Sequence, residues 1–226
     1  MQKGYSMVRD SVKRCPLPLL HLQEKKLLEY AEQMLPYSTG IEIECSSKFS
    51  DLLTDNIFRR KVPELLDVDC SSNEMRFRIP KGIKGLIALY NLSEALKEVC
   101  LLNPKSGIHY HVDFTDVSKK DFEKIYNIHK GCSSWILKSL KSWNYTGRFN
   151  EWEIHSTKKA VKFHSGYQTV EFRIGEMTFD YELLIKRIIH CQNICRSLKS
   201  SLKRAVPAKV QPKVATYPRV IGRIEL

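Results

Sequence analysis

The chain has 226 residues, 42% of them hydrophobic, with 37 Lys and Arg against 25 Asp and Glu for a formal net charge of +12. That length and apolar content suffice for one enzyme-sized domain with a buried core. No run approaches the roughly 18 to 20 apolar residues of a bilayer-spanning helix, and MQKGYSMVRD lacks the apolar stretch of a signal peptide, so the expectation is a soluble, cytoplasmic protein without a membrane partner.

Residues 1–20 mix charge with CPLPLL, whose prolines oppose a long helix. From Leu22, LQEKKLLEYAEQMLP sets Leu27, Leu28, Ala31, Met34 and Leu35 on one face and stops at Pro36, the pattern of an amphipathic helix. After PYSTG, the alternating IEIEC reads as a strand bounded by Gly40. A polar stretch leads to LLDVDCSSNEMRFRIPKG, two strands around the turn signal CSSN, closed by Pro80 and Gly82. IKGLIALYNLSEALKEVCLL has helical spacing, and NPKSG breaks it before the strand GIHYHVDF.

Residues 118–143 read as a long helix open to interruption at Gly131, SWNYTGRFNEW as a loop, AVKFHS and TVEFRIG as strands, and about 178–203 as the last helix. There is no internal repeat. Without strict βαβ alternation, the order predicts an α+β fold with a largely antiparallel sheet and flanking helices. The organisation expected is an N-terminal extension over 1–38 with its amphipathic helix, a catalytic domain over 39–204, and a Pro-rich basic arm over 205–226.

Seven cysteines, odd in number and without a Cys-x-x-Cys pair, argue against a disulfide framework or a zinc knuckle. Cys191 and Cys195 lie about one helical turn apart, where buried thiols are the simpler reading. The positive charge favours polyanionic partners, nucleic acid among them, through counterion release. Much of it falls in KKDFEKIYNIHK and KRIIHCQNICRSLKSSLKR, where a solvated helix face is the plain alternative.

Strand parity is more informative, because side chains at i and i+2 share a face. Glu42 and Glu44 oppose Ile41 and Ile43; Glu74, Arg76 and Arg78 oppose Met75, Phe77 and Ile79; His109, His111 and Asp113 oppose Ile108, Tyr110, Val112 and Phe114; Glu171 and Arg173 oppose Val170, Phe172 and Ile174. Alternation alone describes any sheet with one wet face. The polar identities are what matter: Glu-x-Glu, His-x-His and Glu-x-Arg, with lysine absent from all of these positions. Glutamates gathered on one face repel one another unless a cation lies between them, and oxygen-rich ligation with a single imidazole suits Mg2+ or Mn2+. Arginine beside such a centre suits phosphate oxygens. No Walker-type glycine loop is present, so phosphate would be held by side chains and metal.

The ordered set GIEIE, DVDCSSNEMRF, SGIHYHVDF, a loop arginine and TVEFRIG, over residues 40–203, resembles the amidoligase family within the glutamine synthetase-like carboxylate–amine ligases. The resemblance implies a curved antiparallel sheet whose concave face binds ATP with Mg2+ or Mn2+. It implies Glu42, Glu44, Glu74, His109 and Glu171 as metal ligands, His111 near the nucleotide, Arg173 on phosphate, and Arg148 as the loop arginine stabilising the transferring phosphoryl group. The implied reaction joins a carboxylate to an amine through an acyl phosphate, with Asp113, Asp69 and His164 as candidate bases. Protein, peptide or modified nucleic acid is as open as a free amino acid for the acceptor, and the class allows an oligomer. The alternatives are a non-ligase metal-dependent enzyme, such as a double-stranded β-helix oxygenase or a phosphodiesterase, and a nucleic-acid- or protein-binding module that keeps the fold.

Overall fold

The alternating segments pair into one antiparallel sheet in the computed structural model, which describes residues 24–71, 73–101, 107–129 and 161–202. Its strands are β1 (Thr39–Glu44), β3 (Asp67–Ser71), β4 (Glu74–Ile79), β6 (Gly107–Asp113), β7 (Val161–His164) and β8 (Thr169–Glu176), in the order β3-β4-β1-β6-β8-β7. A separate ladder joins β2 (Ser46–Ser47) to β5 (Cys100–Leu101). Five helices lie among the described residues: α1 (Glu24–Met34), α2 (Asp51–Lys61), α3 (Gly82–Val99), α4 (Lys119–His129) and α5 (Tyr181–Ser201). The architecture is therefore mixed α+β, as the element order predicts. Residues 1–20, the far part of the helix predicted over 118–143, the loop with Arg148 and the arm 205–226 lie outside the described residues.

Helix α2 falls in the stretch read only as polar. Its buried side chains are Thr54, Ile57 and Phe58, too few to stand out as a periodic apolar face. Its ends carry the signals instead: Ser50 stands at the N-cap, and Asp51 in the first turn and Arg59, Arg60 and Lys61 in the last are favourable to the helix dipole.

One face of the sheet is core. Ile41, Ile43, Met75, Phe77, Ile79, Ile108, Tyr110, Val112, Val170 and Phe172 are each at most 2% exposed, as parity predicts. Helices α3 and α5 contribute Leu86, Leu89, Leu92, Ile188 and Leu198 to the same core. Each large side chain buried this fully contributes about 1.5–3 kcal/mol. Cys191 and Cys195 are part of this core on α5, and burial pushes both thiols up from their ordinary range.

Polar contacts fix where the sheet meets the helices. Buried Gln192 of α5 donates to the Tyr37 carbonyl at 2.7 Å and to Thr39 Oγ1 at 2.8 Å, while its carbonyl oxygen accepts from the Tyr37 N–H at 3.3 Å. One side chain thus ties the start of β1 to α5. Gly82 opens α3 at φ +64°, a left-handed conformation that suits glycine, and donates its N–H to the Leu35 carbonyl at 2.8 Å. The β7–β8 turn is held by Gln168, which donates to the Val117 carbonyl at 2.8 Å, while the Phe114 N–H donates to the Gln168 carbonyl at 2.8 Å.

Replacing Gln192 by Leu removes the partner of the buried Thr39 hydroxyl and of the part-buried Tyr37 N–H and carbonyl. Gln192→Leu should lower unfolding stability by about 1–3 kcal/mol in urea titrations; an unchanged midpoint would refute the tie.

Candidate functional site

Register assembles the polar face. β1 pairs with β6 so that Glu42 lies across from His109 and Gly40 from His111; β6 pairs with β8 so that His111 lies across from Glu171; β1 pairs with β4 so that Glu42 lies across from Arg76. Directly opposed residues share a face. Between the Ile108–Gly175 and Tyr110–Phe172 pairings, two steps along β6 match three along β8, a bulge beside Arg173 that bends the strand where the cluster sits. Gly40 makes room for it: a Cβ there would lie 3.2 Å from the His111 Cβ.

Glu42 stands at the middle of the cluster. Its Oε2 is 3.3 Å from His109 Nδ1, and its Oε1 is 3.3 Å from His111 Nε2 and 3.7 Å from Arg76 Nε. The imidazoles of His109 and then His111 hold its carboxyl well below the usual carboxylate range. Glu171 is buried, with Oε1 2.8 Å from Arg173 Nε, 3.6 Å from His109 Nδ1 and 3.9 Å from His111 Nε2, and Oε2 2.6 Å from His164 Nε2. His109 is buried between these carboxylates. The expectation that the glutamates need an added cation is corrected in part: guanidinium and imidazole groups of the chain itself face the two central ones, which lowers the cost of burying them.

The remaining expected ligands are peripheral. Glu44 Oε1 is 3.7 Å from His109 Nε2, and its side chain is half exposed. Glu74 Oε1 pairs with Arg76 Nε at 2.9 Å, and Arg76 also lies 3.6 Å from Asp69. Neither Glu44 nor Glu74 joins a set of converging ligand atoms. Arg148 lies outside the described residues. Among the candidate bases, Asp113 is committed to fastening: it accepts from Ser38 Oγ at 3.0 Å and the Thr115 N–H at 2.8 Å, and lies 3.4 Å from Arg78.

Among the described residues two groups of ligand atoms converge within 4.8 Å: Glu42, His109 and Glu171, and His111, His164 and Glu171. The first, two carboxylates and one imidazole, fits a hard divalent ion. The second group includes a buried nitrogen without a hydrogen bond, His111 Nε2. His164 is the residue that sequence reasoning weighed only as a base. In the fold Phe163 packs on Phe122 and Tyr126, and its strand neighbour His164 takes the opposite face.

Away from the site, much of the positive charge on α5 is engaged within the chain. Lys186 pairs with Glu182 at 3.3 Å, Arg196 donates to the Gln33 carbonyl at 2.7 Å, and Lys199 pairs with Asp116 and lies 3.7 Å from the Tyr37 ring centroid. Among the described residues no helix is long and apolar enough to cross a membrane. No family model, curated protein or solved structure matches the chain.

If Glu42 is a ligand, Glu42→Gln should weaken Mn2+ binding by about tenfold or more, read by electron paramagnetic resonance of free Mn2+, with circular dichroism unchanged. Equal affinity in the variant would remove Glu42 from the ligand set.

Proposed function

We propose that the protein is an ATP-dependent carboxylate–amine ligase of the amidoligase type, built on a glutamine synthetase-like sheet. The observation that carries this reading is the convergence of Glu42, His109 and Glu171 on one face of an antiparallel sheet, with Arg173 set against Glu171 at 2.8 Å. Carboxylates for a metal beside guanidinium for phosphate is the layout phosphoryl transfer requires. The six strands forming one sheet, with β3 and β7 at its edges, supports this over a double-stranded β-helix metalloenzyme, whose barrel needs two facing sheets.

A carboxylate is a poor electrophile and oxide a poor leaving group, so amide formation needs activation. In the proposed reaction the substrate carboxylate oxygen attacks the γ-phosphorus of ATP, the bond to the β–γ bridging oxygen breaks, and ADP leaves. The amine nitrogen then attacks the acyl carbon, loses a proton, and expels inorganic phosphate. Glu42, His109 and Glu171 would hold Mg2+ or Mn2+, with Glu44 at the border of the centre; the bound ion supplies neutralisation of charge on the phosphate oxygens. Arg173 is suited to grip a phosphate through donors other than the Nε that faces Glu171. His111, between Glu42 and Glu171, would adjoin the nucleotide. Arg148 is assigned to the transferring phosphoryl group from its order in the sequence.

Incubation with Mg2+, ATP, hydroxylamine and a pool of carboxylates should yield ADP and a hydroxamate. Glu171→Gln should cut ADP formation by about 100-fold or more while the protein stays folded. Absence of ADP with every carboxylate, together with no ATP binding by calorimetry, would overturn the ligase reading.

A further inference from the structure

We propose that His111, His164 and Glu171 form a second, nitrogen-rich metal centre, one that takes a borderline divalent ion of the Zn2+ and Co2+ type in the presence of Mg2+. It shares Glu171 with the oxygen-rich centre and does not depend on the ligase chemistry.

The two oxygens of Glu171 face different neighbours. Oε2 is 2.6 Å from His164 Nε2, while Oε1 is turned to Arg173 and His109. A single carboxylate can thus serve both ligand groups. His111 Nε2 supplies the third ligand atom, 3.9 Å from Glu171 Oε1 and 3.3 Å from Glu42 Oε1, and like Arg173 Nε it is a buried nitrogen without a hydrogen bond. The His111 and His164 rings lie 5.5 Å apart between centroids with 40° between their planes, tilted rather than stacked. An ion with bonds of about 2.0–2.1 Å in tetrahedral geometry holds its ligand atoms about 3.4 Å apart. One ligand atom from each of the three residues lies within 4.8 Å of the others, so side-chain rotations that draw them together would complete the coordination.

Donor chemistry separates this centre from its neighbour. Two imidazoles and one carboxylate suit Zn2+, Co2+, Mn2+ or Fe2+, whereas Mg2+ prefers oxygen and keeps its waters. Three protein ligands leave coordination positions for water or a substrate oxygen. His164 is 22% exposed, so the centre is open to solvent on that side, while His111 Nε2 is buried. Its edge position comes from the β7–β8 hairpin, where His164 lies across from Thr169 and diagonally from Glu171.

The test is a Co2+ titration of the full chain in excess Mg2+, followed by visible d–d absorption. The wild type should bind a stoichiometric Co2+ that Zn2+ displaces. His164→Asn and His111→Asn should each weaken binding more than about tenfold, while Glu182→Gln, at the α5 ion pair with Lys186, leaves the band in place. Where His111→Asn loses its native circular dichroism, His164→Gln takes its place as the second variant. Wild-type affinity in the His164 variants would overturn the proposal and leave His164 as a hydrogen-bond partner of Glu171 only; so would loss of the Co2+ band to excess Mg2+ in the wild type. Co2+ binding as predicted with no ADP in the hydroxamate assay would retain this centre and sink the ligase reading, so the two fail separately.

Discussion

The polar face depends on the register of β1 against β6, which sets Glu42 across from His109 and Gly40 across from His111. Side chains alternate with a period of two, so a slip of one residue would carry Glu42 into the core and Ile41 or Ile43 onto the polar face. The apolar half of each strand enforces the register: Ile41 and Ile43 on β1, and Ile108, Tyr110 and Val112 on β6, are at most 1% exposed. Burial on one face thereby fixes chemistry on the other. Gln192 adds a local stop at the start of β1, where a shifted strand would leave it without Thr39 Oγ1 and the Tyr37 backbone.

Keeping His109 and Glu171 buried on a sheet face is costly unless their polar atoms are met. Glu171 meets Arg173 and His164, and His109 meets Glu42 through Nδ1 and Glu44 through Nε2. Arg76 connects Glu42 to Glu74 and Asp69 on the neighbouring strands, which extends the network toward the β3 edge. The result is a polar cluster held by strands rather than by loops, a rigid setting of the kind that metal and phosphate chemistry needs.

Strand parity made most of this legible in the sequence. GIEIEC, NEMRFRIP, GIHYHVDF and TVEFRIG each separate into a core half and a polar half, and the described apolar residues of the core half are buried, while on the polar half His109 and Glu171 are buried as well. Which polar residues meet was less legible, since it depends on pairing between distant strands. Glu74 has the same standing in the sequence as Glu42, yet it lies at the end of β4 and turns to Arg76. His164 was hidden by its short strand: VKFH is too brief for alternation to single it out, and its nearness to Glu171 arises from the hairpin. Helix α2 escaped because its burial rests on three side chains and its ends, not on a broad apolar stripe.

The central claim is that Glu42, His109 and Glu171 act together on one divalent ion. Anomalous diffraction at the manganese edge, from crystals of the full chain grown with Mn2+, tests it most directly. The account predicts a peak within bonding distance of all three side chains. A chain with its polar face intact and no peak there, or with manganese held only by residues elsewhere, would contradict it.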